Sequence, residues 1–320
     1  MWKEAAIPLA LAMLLSGCSG DGSNPFGSGG GGDGDDGASG GITVPESVAG
    51  NVTSMSYDAD AETLTVTGVS LDEVPFEAVY TRQAALDSQF AGYEVYTAQD
   101  DPLDRHSTAL VLQSAGNRFD GQVRAGIAVT GGPRNRYFGG GFFERDGDYD
   151  PPSVSETSGM VSYVGTYVGL TNVSASRDLG MLLTPDPSTP SELIPSRAAE
   201  VTGNVFINAD FADNTVEGNV YDRVLDGSTS LPSLVLIATD IDANGTFAGD
   251  VEYQGDVGND IGDYAGLFGG TDAQSLGGVL KLDEFDNDLG ILDDEEEYGV
   301  FVLEQCGTAG ASSSLCDDVK

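Results

Sequence analysis

The tightest grouping of ligating residue types in the chain is Asp240-x-Asp242-x-Asn244-Gly245. Carboxylate and amide oxygens at alternate positions ahead of a glycine are how a helix-flanked Ca²⁺ loop opens, because the alternation turns successive side chains onto one hard cation. The bidentate Glu that closes such a loop is one place late, with Val251 standing there and Glu252 following. Both flanks are β-forming. Asn-Gly between two alternating runs also spells a hairpin turn that needs positive φ. A Ca²⁺ site on Asp240, Asp242 and Asn244 and a plain hairpin are therefore both open, and the flanks favour the hairpin. A second acidic feature, "DEFDNDLGILDDEEEYG" at 283–299, suits cations, a basic partner or simple solvation.

Catalytic groupings are scarce. His106 is the sole histidine, and no serine sits in a G-x-S-x-G or comparable nucleophile signature. Nothing around His106 supports a Ser-His-Asp triad. The chain has 3 cysteines, so a His/Cys transition-metal site has no ligand set. Paired carboxylates of the glycosidase type can be drawn almost anywhere in so acidic a chain and point to nothing. The sequence reads as a non-enzyme with no cofactor.

What the cysteines support is covalent attachment. Cys306 and Cys316 close a short loop near the C-terminus, and in an exported protein they are expected to pair, clipping the tail for about 2 to 3 kcal/mol. Cys18 follows "MWKEAAIPLALAMLLSG", in which Lys3 opens a short charged start and Ala5 to Leu15 form an apolar run too brief to span a bilayer. That is an export signal. Leu15-Ser16-Gly17-Cys18 resembles the lipobox of bacterial lipoproteins. The resemblance implies a signal peptide over 1–17, cleavage before Cys18, and acylation of its sulfur and new amino group with chains such as palmitate. The other reading is an ordinary secretory signal followed by an incidental cysteine. Several acyl chains on one residue anchor stably where one is marginal. Ser19 lacks the aspartate that, by the rule for enteric bacteria, retains a lipoprotein in the inner membrane.

Composition sets the surroundings. The 320 residues carry 52 Asp+Glu against 13 Lys+Arg, a formal net charge of -39, and 45 glycines. Such a field repels nucleic acids and anionic membrane surfaces, so nucleic acid is excluded as a partner. Membrane contact then runs through the lipid on Cys18. The residues after it, "SGDGSNPFGSGGGGDGDDGASGG", cannot bury enough apolar area to offset chain entropy, and 18–47 is expected to be a disordered tether.

The remainder reads as all-β. In 201–211, Val201, Val205, Ile207, Ala209 and Phe211 share one face, and in 215–224, Val216, Val220 and Val224 do so. The pairs 233–242 with 246–255 and 262–269 with 276–282 follow, then 297–306, and 159–170 precedes them. Eight antiparallel strands over 156–306 suit a small closed barrel with a filled interior, leaving 307–320 as a tail. A smaller, less regular β unit is expected over 48–155, with Glu77 to Phe90 the best helical candidate and "DGDYDPPS" at 146–153 the boundary. "YFGGGFFE" at 137–144 fits a closely packed strand better than an amide-lined pocket. The Pro-rich 184–196 is a long barrel loop, a natural place for recognition. Gly165-Thr-Tyr167-Val-Gly169-Leu170 and Gly262-Asp-Tyr264-Ala-Gly266-Leu267 repeat one G-x-Y-x-G-L pattern, which predicts two similar barrel corners. Gly277 and Gly278 are expected to kink such a corner, with Phe268 plugging the core beside them.

The later unit resembles the β-barrel lobe of the transferrin-binding protein B family of surface lipoproteins, to which factor H binding protein is also similar. The motifs are Asp210-Phe211, then Val216-Glu217-Gly218, then Phe247-Ala248-Gly249, then Phe268-Gly269 leading through Ala273 to Gly277-Gly278. The resemblance implies an eight-stranded barrel preceded by a handle-like unit, anchored at the bacterial outer membrane and facing the cell surface or the periplasm. It implies a non-enzymatic binding protein that takes a protein or nutrient ligand, with an outer-membrane receptor beside it, in iron, haem or other nutrient acquisition. Loops at one barrel rim, Leu182 to Ser196 among them, would do the recognition. The alternative is a structural or adhesive acidic surface lipoprotein with no small-molecule ligand. Fold alone does not choose the ligand.

Overall fold

The computed structural model describes residues 42–58, 60–69, 75–114, 122–131, 137–154, 159–285, 295–308 and 313–318. Two antiparallel sheets pack against each other. The first contains β1 (Val52–Asp58), β2 (Thr63–Val69), β3 (Pro75–Arg82), β4 (Glu94–Ala98), β5 (Ser107–Gln113), β6 (Val123–Thr130) and β7 (Gly139–Arg145), paired in chain order. It is nearly closed on itself, since the Asn51 N–H donates to the Gly139 carbonyl at 2.9 Å where the ends of the meander meet.

The second contains β8 (Met160–Ser174), β9 (Ala198–Asp210), β10 (Thr215–Leu225), the two-residue β11 (Thr229–Ser230), β12 (Leu234–Asp240), β13 (Thr246–Tyr253), β14 (Asp260–Gly269), β15 (Ser275–Leu282) and β16 (Glu297–Gln305). Pairing runs β10-β12-β13-β14-β15-β16-β8-β9, and β9 bonds back to β10. Eight strands thus close into a barrel, with β11 attached to the end of β10. Short helices, α1 (Glu46–Ala49) and α2 (Ser313–Asp318), flank the sheets.

The first sheet corrects one expectation. Of the helical candidate Glu77 to Phe90, the first part lies in β3 and only Ala84–Phe90 is helical, as a 3₁₀ turn. Tyr80 is buried in the sheet's own core, so tertiary burial of an alternating, β-branched run overrides a weak helical period. The turn is then held by Asp87, whose carboxylate accepts Nη1 of Arg82 at 2.7 Å.

In the barrel the alternation of 201–211 holds, with Val201, Val205, Ile207, Ala209 and Phe211 all buried inward. The reading of β10 holds only as far as Val220. Asp222 adopts φ 52 and the register shifts between Tyr221 and Val224. This bulge reverses the phase, so Arg223 and Leu225 are buried while Val224 is half-buried.

Strands β14, β15, β16 and the second half of β8 are buried on both faces, one face lining the barrel and the other covered by the first sheet. Tyr264, Phe268, Leu280 and Phe301 point inward. Leu267, Val279, Val300 and Val302 point outward onto Val123, Ile127, Val129 and Phe143. That double burial is why these stretches read as apolar runs rather than alternation. Two tyrosines stitch the contact: Tyr93 Oη donates to the Thr166 carbonyl at 2.9 Å and Tyr137 Oη to that of Leu170 at 2.8 Å.

The glycines of 262–278 serve this packing rather than a kink. Pairing of β14 with β15 runs without interruption from Gly262–Leu282 to Gly269–Ser275. Gly277 faces outward, where an added Cβ would stand 2.3 Å from Cγ1 of Val123, and Gly278 faces inward, 2.6 Å from the Phe301 ring. The reversal itself begins at Gly270, with φ 82. Gly139 and Gly141 do the same from the other side, against Tyr298 and Val279, so "YFGGGFFE" is a closely packed strand.

Two variants separate these roles. Gly278→Val overpacks the barrel core, whereas Gly277→Val pushes the two sheets apart, and each is expected to cost about 1–3 kcal/mol. In urea melts, Gly277→Val should expose the first sheet to protease before the barrel unfolds. Simultaneous loss of both sheets in that variant would count against the packing account.

The repeated G-x-Y-x-G-L pattern has one meaning in both places. Tyr167 and Tyr264 turn into the barrel and lie over glycines of neighbouring strands, Gly299 and Gly249, where an added Cβ would meet the rings. Leu170 and Leu267 turn outward into the contact between sheets. An aromatic ring over a strand glycine restores the packing that glycine lacks. The hydroxyl of Tyr264 also donates to the Ile237 carbonyl at 2.6 Å.

Candidate functional site

The two barrel ends differ. At one, the β9–β10 and β12–β13 turns are short. At the other, the β8–β9 connection, residues 175–197, makes a long arch whose base is fixed by charge. Arg197 Nη1 and Arg177 Nη2 each lie 2.6 Å from a different oxygen of Glu200, and Arg197 Nε donates to the Arg177 carbonyl at 2.6 Å. Arg197 and Glu200 are buried.

The arch leans on the first sheet. The Leu183 N–H donates to Oε1 of Gln99 at 2.8 Å, and Nε2 of the same side chain donates to the Asp104 carbonyl at 3.0 Å. One glutamine thereby ties the arch to the β4–β5 loop. The rim loop Leu182 to Ser196 and the junction with the first sheet are therefore one place. Leu183, Leu193 and Ile194 of the arch are 43%, 59% and 39% exposed, and Leu103 of the β4–β5 loop is 50% exposed. The buttressed arch thus holds aliphatic side chains out to water.

His106 lies close to Arg197 and Asp178 of the arch and is buried, and its ring nitrogens have no hydrogen-bond partner among the described residues. No proton relay is built on it. Burial first, and then the Arg197 charge, push its pKa down to about 4, against a smaller opposing effect of Asp178. The unfolded chain, with its histidine near pKa 6.5, therefore takes up the proton first as pH falls. Stability from this group is fully present above pH about 6.5 and is lost progressively on the way down to about 4, by up to roughly 3 kcal/mol. His106→Leu is expected to flatten the decline between about pH 6.5 and 5, above the range where carboxylates protonate. An unchanged slope of denaturation midpoint against pH would contradict this.

The Asp240, Asp242, Asn244 group forms the β12–β13 turn. Gly245 takes φ 75, its N–H donates to the Asp242 carbonyl at 2.8 Å, and Asn244 Oδ1 accepts the Thr246 hydroxyl at 2.7 Å. The Asn244 carbonyl accepts Nη2 of Arg145 at 2.7 Å, so the turn is also docked to the end of β7. Among the described residues no set of three His, Cys, Asp or Glu side chains is grouped to hold a metal ion.

Most of the acidic run lies outside the described residues; at its edges Asp283 is exposed, as its composition suggests, but others are not. Phe285, Glu295 and Glu297 are buried. Inside the barrel, Glu297 Oε2 lies 2.7 Å from Arg223 Nη2, and the Tyr167 hydroxyl donates to Glu297 Oε1. Sequence reading missed this grouping because the β10 bulge hides the inward phase of Arg223. Cys306 and Cys316 are joined, with Cα atoms 5.7 Å apart. Cys18, the signal and the tether as far as 41 lie outside the described residues. The end of the expected tether, 42–47, is instead ordered: Ile42 and Val44 pack against the core between the sheets and Glu46 opens α1, because these apolar residues find a surface to cover. Among the described residues no helix is long and apolar enough to cross a membrane.

The motif residues now have places. Asp210 Oδ1 accepts the N–H of Ala212 at 2.9 Å and of Asp213 at 3.3 Å, shaping the β9–β10 turn. Phe211, Phe247 and Tyr163 converge on Phe268, with ring centroids 5.1, 5.4 and 5.5 Å from it. Residues 156–302 match the family model of the C-lobe and N-lobe β-barrels of Tf-binding protein B. The barrel is similar to the lobes of that family. Transferrin-binding protein B barrels are binding modules and not enzymes, which agrees with the absence of catalytic groupings in the sequence.

Solved structures are more distantly similar. Intact Ap-TbpB, with N and C lobes, shares 13% identity at a TM-score of 0.38, over 76% of this chain and 52% of that one. TbpB of Haemophilus parasuis Hp5, as a double mutant, shares 12% at 0.36, over 76% and 51%. Isotype 1 TbpB of serogroup B Neisseria meningitidis shares 14% at 0.36, over 81% and 42%. The chain spans about half the length of these relatives, or less. No curated protein matches it.

Proposed function

We propose that this is a non-enzymatic, lipid-anchored binding protein of the bacterial outer membrane. In this reading Cys18 carries the lipid, the tether follows it as far as the segment that packs on the sheets from Ile42, and the two sheets are a handle-like unit that ends at about 155 and a barrel lobe over 156–306. The protein takes a protein or nutrient ligand in iron, haem or related acquisition and works beside an outer-membrane receptor. The relatives are named for transferrin binding. A net charge of -39 makes transferrin itself a poor choice of ligand for this chain, since recognition needs matched potentials.

The observation that carries the reading is the arch, which holds Leu183, Leu193 and Ile194 out to solvent while Gln99 fixes it to the first sheet. A pull-down with the full-length protein should recover one saturable partner and lose it when those three residues are changed to aspartate. Capture that fades uniformly with salt and ignores these changes would favour the alternative, an adhesive acidic surface protein. Protease accessibility on intact cells decides between the surface and periplasmic faces.

A further inference from the structure

At the barrel end away from the arch, the β9–β10 turn, the β12–β13 turn and residues 149–154 border an open cavity of about 730 Å³. Its walls are of two kinds. Tyr149, Pro151, Pro152, Phe211 and Ile241 supply rigid apolar surface, and Asp213, Asp240 and Asp242 supply carboxylates, with no lysine or arginine in the lining among the described residues. Phe211 and Ile241 are anchored in the barrel core, whereas the three aspartates are exposed, Asp240 at the end of β12 and Asp213 and Asp242 on the turns.

The walls are held in place from behind. Arg145 lies 5.6 Å from the centre of the Tyr149 ring and spends its terminal nitrogens on the Phe268 and Asn244 carbonyls, at 2.9 and 2.7 Å. Gly245 passes so close to Tyr149 that an added Cβ would stand 2.3 Å from the ring. Arg145 and Gly245 thus fix Tyr149 against the β12–β13 turn before any ligand arrives.

We infer that this cavity binds an extended segment of a protein partner that presents a lysine or arginine between apolar residues. Prolines and fixed aromatic rings accept apolar side chains with little ordering cost. The carboxylates at the lip draw in the flanking cation, and the surrounding negative field rejects acidic segments. The site does not depend on the arch reading, since it lies at the other end of the barrel. It also gives Asp240 and Asp242 a role that needs no metal.

The test is titration of the ¹⁵N-labelled full-length protein with a capped peptide alternating phenylalanine and arginine, and with its glutamate counterpart. Saturable shifts of the Asn214, Ala243 and Gly245 amides are expected with the first peptide only. The combined Asp213→Asn, Asp240→Asn, Asp242→Asn variant should weaken binding by at least about tenfold, and Ala243→Trp, which fills the cavity without touching the core, should do likewise. Spermidine run in parallel reports on free polyamines, and shifts at the same amides of equal affinity would overturn the assignment to a peptide. Shifts spread over the whole acidic surface, or affinity unchanged in both variants, would overturn the site.

Discussion

Glu297→Ala is expected to destabilise the barrel by about 3–5 kcal/mol, the usual result of stripping one partner from a buried ion pair. Both Glu297 and Arg223 have side chains shielded entirely from solvent, so the guanidinium left behind has no water to turn to. Arg223 Nη1 also donates to the carbonyls of Pro232 and Phe285, at 2.9 and 3.1 Å. The same cation therefore gathers two loop segments at the arch end of the barrel. Gly169 and Gly299 face each other across β8 and β16 and leave room for the Glu297 carboxylate and the Tyr167 ring. Urea denaturation of Glu297→Ala should show the loss, and Tyr167→Phe a smaller one of about 1 kcal/mol, from one hydrogen bond. An Arg223→Met, Glu297→Leu double variant should recover most of the stability, because no charge remains to be desolvated. If the double variant were as unstable as Glu297→Ala, the cost would lie in shape and not in the orphaned charge.

Phe268→Ala should lose a comparable amount, about 3–5 kcal/mol, the range for removing a large aromatic from a packed core. Phe268 is fully buried and is the ring on which Tyr163, Phe211 and Phe247 meet. Its backbone also matters, since its N–H donates to the Gly245 carbonyl at 2.9 Å and its carbonyl accepts Arg145. Those bonds survive the substitution, so the loss reads the ring alone. Phe268→Leu should cost clearly less, because leucine fills most of the void. Near-equal melting temperatures for Phe268→Ala and the parent protein would mean that the three neighbouring rings collapse into the space.

Much of this architecture was legible in the chain. Strands β9, β12 and β13 announce themselves through alternation and turn residues, because a side chain on a strand has only two faces to choose between, and β14–β16 through short apolar runs bounded by turn residues. Asn244-Gly245 marked a hairpin for the same local reason, since the backbone there needs positive φ. What misled was every place where a second body supplies the cause. Pro75–Arg82 is a strand because Leu64 and Val66 of β2, with Tyr80 itself, make a core it can join. Gly277 looks like a strand breaker until Val123 of the other sheet is seen against it.

The candidate sites divide in the same way. Local pattern was enough to raise the expectation of an export signal and a lipobox at Cys18 and to pair Cys306 with Cys316, since each depends on residues close together in sequence. Only the tertiary structure decided that the Leu182–Ser196 loop stands on the first sheet, that His106 lies near the Arg197 end of that arch, and that Arg223 faces Glu297. Each of those joins residues far apart in the chain, and the register shift at Asp222 that turns Arg223 inward is set by pairing with β9 and not by the residues around it.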